Sequence, residues 1–418
     1  MISPNDFDGN DTLKIRQAVA AAEVSGRRCV RISRRKADAL SARDFWLIDE
    51  AILLPGDMEL IIDDCKIKLS DSCRDNFIRS ANCGSGISDI SVLSNIRISG
   101  RGRAVLEGAD HPRSTGDAGK TLGIRTYGTD AARPEEKQTG DWRNVGILLV
   151  LVENFSITGL EIRDYHCWGI SLEKCACGEV KDIHFNTREK RLIDGKEETV
   201  LNQDGLDIRK GCRHISVENI TGRSGDDLVA LTAIHPEIKE AGTFVYTELS
   251  GCPDPPANND IHDIHLKHIH GYSAGGHQIV RLLNACGLRI HDVTIEDVRD
   301  TSADDPEQIR DAAAVKIGDK NPVWGGVTPL GDTFNITVEN VDSRARHCVL
   351  IAGSLCDSRI GGIINRNVDC SAVECTSGEE NLRNVEIAPQ REMLPAEKGE
   401  EERWKRNANG RGAGSMPV

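Results

Sequence analysis

The sequence predicts an all-β protein wound as a single-stranded parallel β-helix, a solenoid closed at its start by an N-terminal capping helix. Three observations carry that prediction. A pattern of apolar-x-apolar-x-x-apolar residues returns along the chain, at Phe155/Ile157/Leu160, Ile215/Val217/Ile220, Ile264/Leu266/Ile269, Val293/Ile295/Val298 and Ile336/Val338/Val341. Its wording even repeats, as SVENI at 216 to 220 and TVENV at 337 to 341. Forty glycines are available to turn corners, and no helical periodicity separates the repeats. Alternation over a few residues means short strands with one buried face. Recurrence at a spacing of roughly 20 to 35 residues means coils that bury their inward side chains only by stacking. A β-propeller would need four strands per roughly 40 residues joined by tight hairpins, and too few Asn-Gly or Asp-Gly turns are present.

Each segment then has an expected place. Residues 1–28 form an N-terminal segment and capping helix, with Asn10 or Asp11 as the cap, an alanine-rich middle and Gly26 at the end. Residues 29–390 form the β-helix, with long loops near 109–143 and 235–260; loops of that length are usually functional or disordered. Residues 391–418, charged and rich in glycine, form a tail without strand pattern.

The totals exclude several classes. Fifty-two basic against 66 acidic residues give a net charge of −14, a poor balance for a nucleic-acid partner. No run of 18 apolar residues occurs, so no membrane partner is expected. MISPNDFDGND at the start has neither a basic n-region nor an apolar h-region, which places the protein in the cytoplasm as an expectation. The 14 cysteines, set mostly in apolar surroundings, read as free thiols in a reducing compartment. Cys175-Ala176-Cys177 has no second pair at zinc spacing, and no cofactor or metal is called for. Oligomeric state stays open.

Chemistry concentrates in two short stretches. Asn202-Gln203-Asp204-Gly205-Leu206-Asp207-Ile208 precedes Ser224-Gly225-Asp226-Asp227-Leu228 by about one coil. Asp204 and Asp226 would then lie on neighbouring parallel strands about 4.8 Å apart, with Asp207 and Asp227 joining them. Crowded carboxylates repel, so at least one must hold its proton while others stay ionised. Glycoside hydrolysis uses that combination: an acid for the leaving oxygen and a base for water. A calcium-type oxygen site or a solvated turn is the alternative.

These stretches carry a family resemblance. NQDGLDI, SGDDLVAL and GGHQIVRLL, with FDGNDTLKIRQAV and AILLPGDMELIIDDCKIKL earlier, resemble the polygalacturonases of glycoside hydrolase family 28. That family lies within the pectin-lyase-like right-handed parallel β-helices, and the likeness runs in order over residues 5 to 390. It implies an inverting hydrolase acting on an oligosaccharide or polysaccharide, a pectin-type galacturonide or related sugar. Asp226 would be the general acid, Asp204 and Asp227 would activate water, and His277 would position or tune the acid. Asn202 would hold Asp204, and Asp207 would support the cluster. The family's Arg-Ile-Lys is matched by Ala314-Val315-Lys316: Lys316 aligns with the lysine, and alanine stands at the arginine position. A neutral or differently decorated sugar is therefore expected as much as a uronic acid, unless Arg281 or Arg209 substitutes. Trp168 and Tyr165, with Trp324, Trp142 and Tyr127, are the rings available for stacking on sugar. The run IHDIHLKHIH at 261 to 270 reads as a solvated outer face, because Ile264, Leu266 and Ile269 take the inward slots. The same architecture hosts polysaccharide lyases, epimerases, fructosyl transferases and non-catalytic glycan-binding solenoids.

Overall fold

The structure, a computed structural model, describes residues 1–38, 41–73, 75–84, 87, 90–111, 145–200, 202–234, 259–285, 287–305, 310–367 and 369–392. Most of both expected loops, the tail from 393, Trp142, Tyr127 and Cys286 lie outside the described residues.

The chain is a right-handed parallel β-helix, the handedness that parallel crossovers adopt almost without exception. Two sheets run its length. The long one takes in Cys29–Ser33, Glu59–Asp63, Leu93–Arg101, Val152–Arg163, Ala176–Asn186, Arg213–Ser224, Ile261–Ser273, Ile290–Asp300, Thr333–Ser343, Leu355–Asn365 and Leu382–Ile387. The short one includes Ile147–Val150, Ile170–Glu173, Leu206–Arg209, Val229–Ala233, Gln278–Asn284, Ala313–Ile317, His347–Ile351 and Val373–Cys375. Identical positions stack from coil to coil. Ile157, Val180, Val217, Leu266, Ile295 and Val338 form one such column through successive parallel pairings, and all six are buried. Burying each such side chain stabilises by about 1.5–3 kcal/mol, which is available only once the neighbouring coil is present.

The uneven spacing of the repeat has a conformational cause. Two inward residues alternate, then the backbone enters the left-handed region for one residue and the next inward position falls three places on instead of two. Asp182, Asn219, His268, Asp297 and Asn340 occupy that corner with φ between 56° and 61°. Asn and Asp tolerate this region better than other side-chain-bearing residues, which explains the asparagine in SVENI and TVENV. The corner side chains also bond along the solenoid: Asn219 Nδ2 donates to Asp182 Oδ1 at 2.6 Å. At a second corner Asn384 Nδ2 donates to Asp357 Oδ1 at 2.9 Å.

The helix spans Asp11–Val24, and Asn10 rather than Asp11 caps it, its side chain accepting from the Leu13 N–H at 2.9 Å. Ile15, Ala18, Val19 and Ala22 are buried against the first strands. Asp11 is instead buried in an ion pair with Arg35 at 2.7 Å. No helix among the described residues is long and apolar enough to cross a membrane. The twelve described cysteines form no disulfide, and most of them are buried.

Candidate active site

Register decides which side chains meet. The short sheet pairs Leu206 with Val229 and Val229 with Val280. Extending the first pairing toward the N-terminus sets Asp204 beside Asp227, and extending the second sets His277 beside Asp226 and Gln278 beside Asp227. The carboxylates therefore sit in the turns that lead into the strands, not on the strands themselves. Asp204 stacks on Asp227 where the spacing argument set it against Asp226. Bonds follow the same register: the Asp227 N–H donates to Asp204 Oδ1 at 2.8 Å, and the Gln278 N–H donates to Asp227 Oδ1 at 3.0 Å. The strand from Gln278 pairs directly with that from Val229, so the long segment between them leaves the coil contact intact and His277 reaches the acids.

The turn around the acids is held from below. Gln203 is fully buried; its side chain donates to the Tyr165 carbonyl at 2.5 Å and to Thr187 Oγ1 at 2.8 Å. Its own carbonyl accepts from the N–H groups of Gly225 and Asp226 at 3.0 and 3.2 Å. Ser224 Oγ donates to the Asp226 carbonyl at 2.6 Å. A Cβ on Gly225 would stand 2.6 Å from Gln203 Oε1 and 3.0 Å from the Glu189 nitrogen, so this turn requires glycine. Gln203 sits inside the quoted motif but had no assigned role, because its bonds reach back to 165 and 187 and leave no local signal.

One oxygen from each of Asp204, Asp226 and Asp227 lies within 4.8 Å of the others. Burial, then the charges of Asp207, Asp226 and Asp227, hold the Asp204 carboxyl well above the ordinary range. Burial and Asp227 push Asp226 up to about 6, against the opposing pull of His277 and Arg281. His277 Nδ1 is 3.3 Å from Asp226 Oδ1. Asp226 is also partly exposed, at 22%, so its proton faces the cleft. Asp227 is nearly enclosed, with Arg281 Nη1 3.4 Å from its second oxygen. Three carboxylates could in principle share a divalent cation. Here both oxygens of Asp227 and one of Asp204 already accept from protein donors, and the raised proton affinities describe a cluster that takes up protons.

The cleft around them has a volume of about 330 Å³. Asn202, Asp207, Arg209, Trp168, Arg281 and Lys316 line it as expected from sequence, together with Asp319, Asn321 and Trp324. Not every assigned contact forms. Asn202 Nδ2 has no hydrogen-bond partner among the described residues, so it does not hold Asp204. Tyr165 does not line the cleft: it is 1% exposed, edge-on to Phe185, and its hydroxyl donates to the Gln203 carbonyl at 3.3 Å. A ring in the core cannot stack on sugar. Trp168 is 4% exposed and lies beneath the Arg209 guanidinium, 4.4 Å from its ring centre, so its accessible face is already covered. Trp324 is half-buried, with Arg281 5.2 Å from its ring. Asp207 is buried beside Ala230 in register, and Thr232 Oγ1 is 3.5 Å from its Oδ1.

Ala314 is buried in the core, so no arginine occupies the aligned site. Arg281, one coil earlier, instead pairs directly with Lys316 across the sheet. Sequence reasoning passed over Asp319, which accepts from Lys316 Nζ at 2.6 Å and Arg281 Nη2 at 3.1 Å. Its position three residues after Lys316 was the available signal, but only the Gly318 turn brings it back. The histidine run does face outward, and two of its members share an acid: His268 Nδ1 and His270 Nε2 lie 2.6 and 2.8 Å from Asp297 Oδ2.

No protein-family model matches the chain, and no curated protein matches it in sequence. Solved structures do. A hyperthermoactive exopolygalacturonase from Thermotoga maritima is 13% identical, with 92% of this chain and 91% of that one covered and a TM-score of 0.53. A polygalacturonase from Erwinia carotovora ssp. carotovora is 12% identical, with 93% of each chain covered and a TM-score of 0.47. The A-module of the mannuronan C-5 epimerase AlgE4 from Azotobacter vinelandii is 12% identical, with 94% and 97% covered and a TM-score of 0.46. At these identities the Thermotoga likeness speaks for the β-helix fold and for nothing finer.

Proposed function

We propose that this protein is a polygalacturonase-like glycoside hydrolase that cleaves O-glycosidic bonds of an oligosaccharide or polysaccharide by carboxylate acid–base catalysis. The observation that carries this reading is the split among three adjacent carboxylates. Asp226 is partly open to the cleft and keeps its proton to about pH 6, whereas Asp227 is enclosed and paired to Arg281. A donor and an acceptor of protons at one point are what the two ends of the scissile bond require. Asp226 protonates the leaving oxygen. Asp227 deprotonates the attacking water that Asp204 helps to orient, and the Gln278 N–H and Arg281 keep Asp227 in place. His277, beside Asp226, tunes how readily the acid gives up its proton.

Inversion is the outcome expected from the resemblance. The nearest oxygens of the three carboxylates lie within 4.8 Å of one another, and carboxyl separation is what distinguishes inverting from retaining sites, roughly 6.5–9.5 Å against roughly 5–5.5 Å. The anomer released is therefore the deciding measurement. Proton NMR of the first product should show inversion; retention would make Asp204 or Asp227 the attacking group and leave Asp226 as the acid. A screen of plant and bacterial oligosaccharides for new reducing ends, with and without chelator, tests the class. Chelator should change nothing. An unsaturated product would mean elimination, and binding without any cleavage would mean a glycan-binding solenoid. We place the reaction in a reducing compartment, the cytoplasm, a reading that the free buried thiols support and that cell fractionation tests.

A further inference from the structure

If the cleft hydrolyses glycosides, its substrate class is written in the group that faces the cations. We infer that the sugar bound beside the acids is neutral, because Asp319 already occupies the position at Arg281 and Lys316 that a uronic acid carboxylate would need. This inference rests on the glycosidase reading and adds the substrate class to it.

Arg281 and Lys316 project from adjacent strands in direct register, while Val280, Leu282, Val315 and Ile317 on either side are fully buried and point inward. Two cations side by side at strand spacing would make a strong carboxylate site. Here that carboxylate is supplied by the chain. Asp319 Oδ2 accepts from Lys316 at 2.6 Å and from Arg281 at 3.1 Å, and its Oδ1 accepts from the Asn321 N–H at 2.9 Å. Burial would by itself raise the carboxyl, but the bonds from Lys316 and Asn321 and the charge of Arg281 hold it below its ordinary value. It is ionised wherever the enzyme would work.

Asp319 is also fixed in place. Gly318 turns the chain with φ of 72°, and a Cβ there would stand 2.5 Å from the Gly353 Cα. The side chains of Asp319, Arg281 and Lys316 are 8%, 13% and 16% exposed, so the triad is largely enclosed. Asp227 takes a second Arg281 contact, at 3.4 Å. Two positive charges therefore meet two negative ones before any ligand arrives. A uronate entering this cleft would find Arg281 and Lys316 already paired and Arg209 stacked on Trp168, and would lie close to Asp204, Asp207, Asp226 and Asp227. A neutral hexose or deoxyhexose brings hydroxyls instead, which the Asp319 oxygens can accept and the half-buried Trp324 ring can pack against.

The test uses the full chain and paired probes: p-nitrophenyl glycosides of galactose, glucose, mannose and rhamnose in both anomers, and the uronides matching the three hexoses. The readout is kcat/KM for each hexoside relative to its own uronide, with thermal melts to verify folding. The wild-type protein should favour a neutral glycoside over its uronide by 100-fold or more. Asp319→Asn should narrow that ratio at least tenfold, and Asp319→Ser should move it the same way, a change that a purely structural role would not produce. A preference for the uronide in the wild-type protein overturns the inference while leaving the hydrolase reading intact, and so does an unaltered ratio in both variants. Failure to cleave or bind any probe, or any oligosaccharide of the wider screen, removes the hydrolase reading and this inference with it.

Discussion

Asp226 and Asp297 are the same residue type on two faces of one solenoid, and their surroundings drive them apart. Asp297 sits at a corner of the long sheet, where burial alone would raise it. Hydrogen bonds from His268, His270 and Arg299 prevail and bring it down to about 2. Asp226 sits at the mouth of the short sheet, where burial and Asp227 raise it to about 6 and only His277 and Arg281 oppose them. One acid has donors on its open side; the other has acids. The lesson is that a β-helix delivers carboxylates to its surface wherever the left-handed corner or a tight turn favours aspartate. What stacks on them in the next coil decides whether they serve as ladder rungs or as proton donors.

The largest expected effect separates the two functionally. Asp226→Asn should lower turnover by about 10²–10⁴-fold, the usual worth of a general acid, with circular dichroism unchanged. Asp297→Asn should leave turnover near that of the wild-type protein. Equal losses in both would erase the distinction.

Stability against pH sharpens the same contrast, with opposite signs. Asp226 has a raised value in the folded state, so its favourable contribution is complete below its unfolded value near 3.8 and is lost as pH rises through about 6. In urea unfolding, Asp226→Asn should therefore gain on the wild-type protein between pH 4 and 6, reaching a plateau on the order of 3 kcal/mol. Asp297 is depressed, so its contribution is present above about 3.8 and is lost as pH falls through about 2. Asp297→Asn should be the less stable protein at pH 7, by about 1–2 kcal/mol, and that deficit should shrink below pH 4.

Smaller changes examine the corner and the tuning residue. At Asn219, with φ of 58°, substitution by Val should cost about 1–2 kcal/mol in the same unfolding assay. Substitution by Gly should cost less, since only the bond to Asp182 is lost. Smallest is the shift from His277→Gln. The wild-type kcat should decline as pH rises past about 6, as Asp226 loses its proton. Removing the imidazole takes away a group that lowers Asp226, so the declining limb should move to higher pH by less than about one unit. A move to lower pH would mean that His277 acts on the reaction by another route.

Much of this architecture was legible in the residues alone. The two-then-three spacing of Ile215, Val217 and Ile220 needs only alternation and one left-handed residue, Asn219, and both are settled within a few positions of chain. The same holds for a helix cap at Asn10 or Asp11, though only the structure chose Asn10. Asp204, Asp226, Asp227 and His277 could be nominated because each motif is local, even though their meeting is not.

What the tertiary structure alone decided is which coil lies against which. The long stretch between Asp227 and His277 says nothing about register, yet the pairing of Val229 with Val280 brings His277 to Asp226. Asp319 neutralises cations on two different strands, Tyr165 turns into the core, and Arg209 covers Trp168. Side chains on the outer face of a solenoid take their neighbours from coils tens of residues away, and burial, charge and proton affinity depend on those neighbours rather than on anything adjacent in the chain.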